Sequence, residues 1–164
     1  MVNLQDAWAV LDEVPDPEVP ALSVRDLGIV RDVRLADEGI EVVLTPTYSG
    51  CPATEVIEKS VIDALEAAGF RPARVKMQRA PAWTTDWISE AGKRKLRAYG
   101  IAPPGPVDAA EGVPITFMRK PVPVPCPRCG STHTERIAAF GSTACKALHR
   151  CLDCHEPFDH FKPI

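Results

Sequence analysis

Two C-x-x-C motifs, Cys126-Pro127-Arg128-Cys129 and Cys151-Leu152-Asp153-Cys154, stand 21 residues apart near the end of a 164-residue chain. A C-x-x-C turn presents both sulfurs on one side of a tight loop. Two such loops can enclose one ion tetrahedrally, with Zn–S distances of about 2.3 Å. The roughly forty residues from Val124 to Ile164 cannot bury much apolar surface, so a segment this small needs a staple. Cys126, Cys129, Cys151 and Cys154 are therefore the expected ligands of a four-cysteine, zinc-ribbon-like metal domain over residues 124–164. Zinc in a closed structural site is the first reading. The same ligands also serve a rubredoxin-like iron or an Fe–S cluster, so iron stays open. Arg128, Lys146 and Arg150 lie close in sequence and are expected to offset the charge of the thiolates. The four histidines are expected in solvent or behind the ligands rather than on the ion.

Five of the six cysteines fall in the last quarter of the chain and Cys51 stands alone, which argues against a disulfide framework spread along a small secreted chain. The first residues mix apolar and acidic side chains and lack the pattern of a secretory signal. No apolar run approaches the roughly 18 residues of a membrane span. The expectation is a globular cytoplasmic protein with no membrane partner. A nucleic-acid-binding ribbon would need a basic face, yet Val124–Ile164 holds five Lys/Arg against four Asp/Glu. No nucleic acid is expected either.

The first part of the chain reads as an α+β domain of order α-β-β-α-β over residues 1–102. Leu4, Ala7, Trp8 and Leu11 keep a helical period behind Asn3, a candidate N-cap, and the prolines from Pro15 to Pro20 end that helix. Ile29–Leu35 and Ile40–Thr45 read as strands joined at Asp37-Glu38-Gly39. A second helix starts at Cys51-Pro52 with Ile57, Val61, Leu65 and Ala68 as its stripe and Gly69 as its stop. Ala73–Met77 is a third strand, and both helices are expected on one face of the sheet. Ser89–Tyr99 is a further helix, capped by Ser89 and stopped by Gly100. Residues 103–123 form an extended, Pro-rich linker.

Cys51 stands where a strand gives way to a helix. Free N–H groups and the helix dipole there favour a thiolate, which makes it a soft ligand or a nucleophile. The alternative is a buried, inert thiol. No histidine occurs in the first 132 residues, which argues against a local Cys–His pair. Cys145 carries the same ambiguity, as a buried thiol or a reactive one beside Lys146. Trp83 and Trp87 either cover the small sheet or dock a partner. The Glu-x-x-His pairs of di-iron helices, GxGxxG and Walker loops do not occur, so oxygenase, flavin and nucleotide sites of those types are unsupported.

Asp16-Pro17-Glu18, Asp26-Leu27-Gly28-Ile29-Val30 and Thr47-Tyr48-Ser49-Gly50-Cys51-Pro52 resemble the signature of SufT-type (MIP-type) Fe–S assembly domains. Trp83-x-x-x-Trp87, Ser89-Glu90-Ala91-Gly92, Phe140-Gly141-Ser142-Thr143-Ala144-Cys145-Lys146-Ala147 and the terminal ribbon extend the likeness. Nearly the whole chain is similar to the PaaD family, the D subunits of phenylacetyl-CoA epoxidase systems. The resemblance implies a non-catalytic accessory protein of a bacterial oxygenase that epoxidises the ring of phenylacetyl-CoA in aerobic phenylacetate catabolism. It implies that Cys51 transiently holds iron or an Fe–S cluster, in a pocket shaped by Asp16, Glu18 and Thr47. The expected partners are the epoxidase components, above all the Fe–S reductase subunit. One cysteine cannot complete a cluster, so a homodimer is a further expectation. The competing reading is a structural subunit that only scaffolds the oxygenase. It predicts that Cys51 can be replaced freely while the ribbon cysteines cannot.

Overall fold

A computed structural model describes residues 3–47, 52–107 and 122–164, and Cys51 lies outside the described residues. The chain divides into two compact units, residues 1–95 and 96–164.

In the first unit, helix α1 (Leu4–Asp12) begins at Asn3, as expected. Its side chain accepts from the Asp6 N–H at 3.0 Å while Asp6 receives the Asn3 N–H, a reciprocal cap that satisfies two otherwise orphaned donors. Strands β1 (Val30–Leu35) and β2 (Ile40–Leu44) form an antiparallel hairpin, and helix α2 (Ala53–Ala67) leads to β3 (Ala73–Met77). The sheet order is β1-β2-β3, with β3 parallel to β2, so α2 is the crossover that a parallel pair requires. Helices α1 and α2 touch each other and pack over β1 and β3 respectively.

The core lies between these layers. Leu11, Leu22, Ile40, Leu44, Val61 and Leu65 are almost wholly excluded from solvent. The apolar stripes are narrower than their periods suggest. Ala7 and Leu11 are buried, whereas Leu4 is exposed and Trp8 is half-buried beneath the Arg25 guanidinium. Gly69, with φ +95°, ends α2 in the left-handed region that glycine adopts without strain.

Trp83 settles its own ambiguity. It is buried, and its indole N–H donates to the Leu27 carbonyl at 2.8 Å, so it covers the domain rather than docking a partner. Trp87 is half-buried with the Arg31 guanidinium 3.6 Å from its ring centre. Arg31 is the extra residue where the β1–β2 register shifts between Val30 and Asp32. Gly28 allows the close approach of this segment: a Cβ there would lie 2.3 Å from the Trp87 carbonyl oxygen. Helix α3 (Glu90–Tyr99) follows, with the Ser89 hydroxyl accepting from the Gly92 N–H at 2.9 Å.

The second unit is a four-stranded sheet of order β4-β7-β6-β5, formed by Ile101–Ala102, Pro157–Phe161, Lys146–Cys151 and Thr134–Ala138. Strands β5, β6 and β7 make an antiparallel meander, and β4 adds in parallel to β7. Residues 101 and 102, read from sequence as the end of the first domain, thus belong to the ribbon's sheet. Of the Pro-rich stretch, residues 108–121 lie outside the described residues. Among the described residues, no helix is long and apolar enough to cross a membrane.

Candidate metal centre

The two knuckles share one backbone design. In the first, the Cys126 N–H donates to the Ser131 carbonyl at 2.8 Å. In the second, the Cys151 N–H donates to the Glu156 carbonyl at 3.0 Å. Each bond closes over the fifth residue along, and each loop turns on a left-handed residue four past its first cysteine. That residue is Gly130 (φ +77°) in one loop and His155 (φ +62°) in the other. Glycine suits such a position, whereas a histidine holds it against a steric penalty. The first knuckle precedes β5 and the second joins β6 to β7, so the sheet carries both loops to one end.

There the ligand sulfurs of Cys126, Cys129, Cys151 and Cys154 all lie within 4.8 Å of one another. Cys126 Sγ is 3.7 Å from Cys154 Sγ, and Cys129 Sγ is 3.6 Å from Cys151 Sγ. Four sulfurs about 2.3 Å from a shared tetrahedral ion stand about 3.8 Å apart, so the donor set fits a metal. The thiols differ in how readily they ionise. The Cys154 N–H, against the opposing effect of burial and helped by the Asp153 N–H, lowers the Cys151 thiol to about 7. The Glu156 N–H also favours the Cys154 thiolate, but burial and the sulfurs of Cys151, Cys129 and Cys126 push that thiol up to about 12. Ionising all four sulfurs at such distances would require a central cation. Cys126 and Cys151 are buried with Ala102 and Phe158, while Cys129 and Cys154 are exposed.

Asp153, inside the second knuckle, ties the two loops together. Its carboxylate accepts from the Ser131 hydroxyl and meets His133 Nδ1 at 3.0 Å, and these partners hold it below the usual carboxylate range. This clasp was not apparent in the sequence. Its signal is Ser131-x-His133 just after one knuckle and an acid inside the other. Two of the three cations expected to balance the thiolates are engaged elsewhere, and the third, Arg128, is exposed. Arg150 pairs with Glu135 across β5 and β6, and buried Lys146 donates to the Ser142 hydroxyl at 3.1 Å. Cys145 is half-buried, with its sulfur 2.9 Å from the Thr143 hydroxyl, and stands outside the four-sulfur cluster. His149 is buried against Phe158, and His160 stands edge-on to it. Burial and the neighbouring His149 lower His160 to about 4.

In the first unit, Asp16 is buried. One of its carboxylate oxygens accepts from the N–H groups of Glu18 (2.9 Å) and Val19 (2.7 Å), so it builds the turn that presents half-buried Glu18. Thr47 is half-buried after β2. Thr45, almost fully buried beside it, has a hydroxyl with no hydrogen-bond partner among the described residues. Asp26 is the main polar junction of the domain. It accepts from the Ser23 N–H, the Ser89 hydroxyl and the Lys95 ammonium at 3.1, 3.2 and 2.5 Å.

Known proteins resemble each unit separately and the chain as a whole. Residues 4–76 match the family model described as an iron-sulfur cluster assembly protein, and residues 111–162 match the PaaD zinc beta ribbon domain. Over 162 residues the chain is 48% identical to an Escherichia coli (strain K12) protein provisionally named as the D subunit of 1,2-phenylacetyl-CoA epoxidase. That match covers 99% of this chain and 94% of the relative. A Porphyromonas gingivalis protein named Fe-S protein maturation auxiliary factor is 31% identical over 94 residues, 56% of this chain and 89% of its own. Among solved structures, a domain of unknown function, DUF59, from Bacillus anthracis aligns with a TM-score of 0.52 and 26% identity. It covers 56% of this chain and 89% of that one.

Proposed function

Since this chain belongs to the family of 1,2-phenylacetyl-CoA epoxidase D subunits, we propose that it is an accessory protein that assists iron or Fe–S cluster insertion into such a multicomponent oxygenase. One observation carries the reading. The likeness runs along 99% of the chain and so includes both the assembly-type domain and the ribbon, rather than either alone. The maturation factor that resembles the first unit supports a role in cluster handling.

In this reading the ribbon holds zinc as a structural ion, and iron is the alternative that the same four sulfurs would accept. Closed by four protein ligands, the ion leaves no position for substrate and supplies folding energy. The working residue is Cys51, which precedes α2 in sequence, where backbone N–H groups and the dipole favour its thiolate. Glu18 and Thr47 shape its surroundings, with Asp16 fixing the turn that carries Glu18. The rest of the coordination shell comes from a second protomer or from the client, for which the Fe–S reductase subunit is the candidate.

Cys51→Ala in cells that co-express the oxygenase components tests this. Iron and acid-labile sulfide in the purified reductase and oxygenase should fall, while the variant keeps its far-UV spectrum and its ribbon metal. Full cofactor loading with the variant would instead establish the scaffold reading, in which only the ribbon cysteines matter.

A further inference from the structure

The two sides of the four-cysteine site are unequal. Cys126 and Cys151 are buried with Ala102 and Phe158, whereas Cys129 and Cys154 are exposed. The short sulfur pairs, Cys126 with Cys154 and Cys129 with Cys151, each take one partner from either knuckle. Ligand release is therefore easiest from the exposed side, and it requires the knuckles to part. How firmly a metal is retained depends on what else joins the knuckles there.

The sheet alone joins them weakly. The first knuckle runs into β5, the edge strand of the order β4-β7-β6-β5, which pairs on one side only and shifts register between Arg136 and Ala138. Edge segments with exposed hydrogen bonds open at low free energy. Against this stands the cluster of Ser131, His133 and Asp153. Both carboxylate oxygens of Asp153 reach across, one accepting from the Ser131 hydroxyl and the other meeting His133 Nδ1 at 3.0 Å. The Ser131 hydroxyl also accepts from the His133 N–H at 3.0 Å, which closes the ring of three side chains and backbone. Beside it, the Leu152 N–H donates to the His133 carbonyl at 2.8 Å. Leu152 and Asp153, the residues inside the second C-x-x-C, are thus both bonded to the segment that follows the first. Asp153 immediately precedes the exposed ligand Cys154, whose N–H donates to Cys151 Sγ at 3.5 Å. Fixing this one side chain fixes the peptide that places two ligands.

Hydrogen bonds that do not touch a metal still orient the groups that do, and losing them typically weakens metal binding about 10–100-fold. We propose that Asp153 is a positioning residue for metal retention: its clasp on Ser131 and His133 holds Cys154 against the first knuckle and sets how slowly the exposed side of the site gives up its metal. The proposal rests on the four-cysteine site binding a metal and is independent of the part assigned to Cys51.

The test uses the full-length protein loaded anaerobically with cobalt(II), whose four-thiolate complex absorbs visible light. It follows the decay of that band after excess EDTA is added. Every variant should begin with the parent's band, since all four ligands remain. Asp153→Ala should speed the decay about tenfold or more. Ser131→Ala and His133→Ala should each speed it about threefold. Adding Ser131→Ala to Asp153→Ala should change the rate by less than about twofold, because the bond is already lost. Asp153→Asn, which keeps an acceptor for Ser131, should fall between Asp153→Ala and the parent. Glu156→Gln removes an exposed acid from the same knuckle outside the clasp and should decay at the parent's rate. Three results would overturn the proposal: parental decay in Asp153→Ala, equal acceleration by Glu156→Gln, or fully additive effects of the Ser131 and Asp153 substitutions. If Asp153→Ala takes up no cobalt, Ser131→Ala and His133→Ala carry the same test, and parental decay in both overturns it. A parent protein that forms no four-thiolate band would remove the metal site itself, and the proposal with it.

Discussion

The two units of this chain solve the same problem by different means. The assembly-type domain sandwiches a sheet against two helices and excludes large side chains from water, among them Leu11, Leu22, Ile40, Leu44 and Leu65. The ribbon buries fewer large side chains, and the cluster around its cysteines consists of Ala102, Cys126, Cys151 and Phe158, with Val124 packed on them. Two of those four residues are themselves ligands. A large apolar interior tolerates the loss of one contact, whereas a small cluster that includes two of the ligands is expected to depend on the ion. The difference predicts one domain that folds by itself and one whose folding is conditional on metal supply.

Metal removal tests that contrast most severely. Chelation, or Cys126→Ser, should abolish amide protection in β5, β6 and β7, because metal binding supplies roughly 10–16 kcal/mol to comparable four-ligand sites. Protection in β1–β3 should persist. A ribbon that keeps its protection after verified metal loss would erase the distinction between the units.

The converse substitution has a smaller effect. Leu65→Ala, in the sealed layer between α2 and the sheet, should destabilise the first unit by about 2–5 kcal/mol through lost burial and the cavity left behind. Metal content of the ribbon should not change, and a denaturant titration read together with metal analysis checks both. Smaller still is the polar junction. Asp26→Asn should remove about 1–3 kcal/mol from the first unit by losing a charged acceptor for Lys95 and Ser23.

Burial raises the Asp26 pKa, but the Lys95 ammonium, the Ser23 N–H and the Ser89 hydroxyl outweigh it and hold the carboxyl below its ordinary value. The folded pKa is therefore the lower of the two. Its contribution is complete above the unfolded carboxylate range, near pH 4, and fades as pH falls through the folded pKa. Acid titration should show a shallower loss of stability for Asp26→Asn than for the parent. Equal slopes would remove Asp26 from the account.

Local signals made much of this legible. Asn3 caps α1 because a short polar side chain can reach the N–H three residues on. Gly69 and Gly100 stop helices because they adopt positive φ. The alternation in Ile40–Leu44 marked the strand but not its depth. Val43 is buried as well, on central strand β2, while Glu41 two residues before it is half-buried. The two-residue strand at Ile101 carries no period at all, and only its pairing with β7 defines it.

Neighbouring residues alone were enough for the ligand set, since C-x-x-C turns place their sulfurs through short-range backbone geometry. They were also enough for the α-β-β-α-β order, since periodicity and capping act within a few residues. Folding in three dimensions was needed for Asp153 to clasp Ser131 and His133, and for Asp26 to gather Ser89 and Lys95 from 63 and 69 residues away. Those contacts depend on strand register and on which faces pack, properties of the whole chain that no local window of residues encodes.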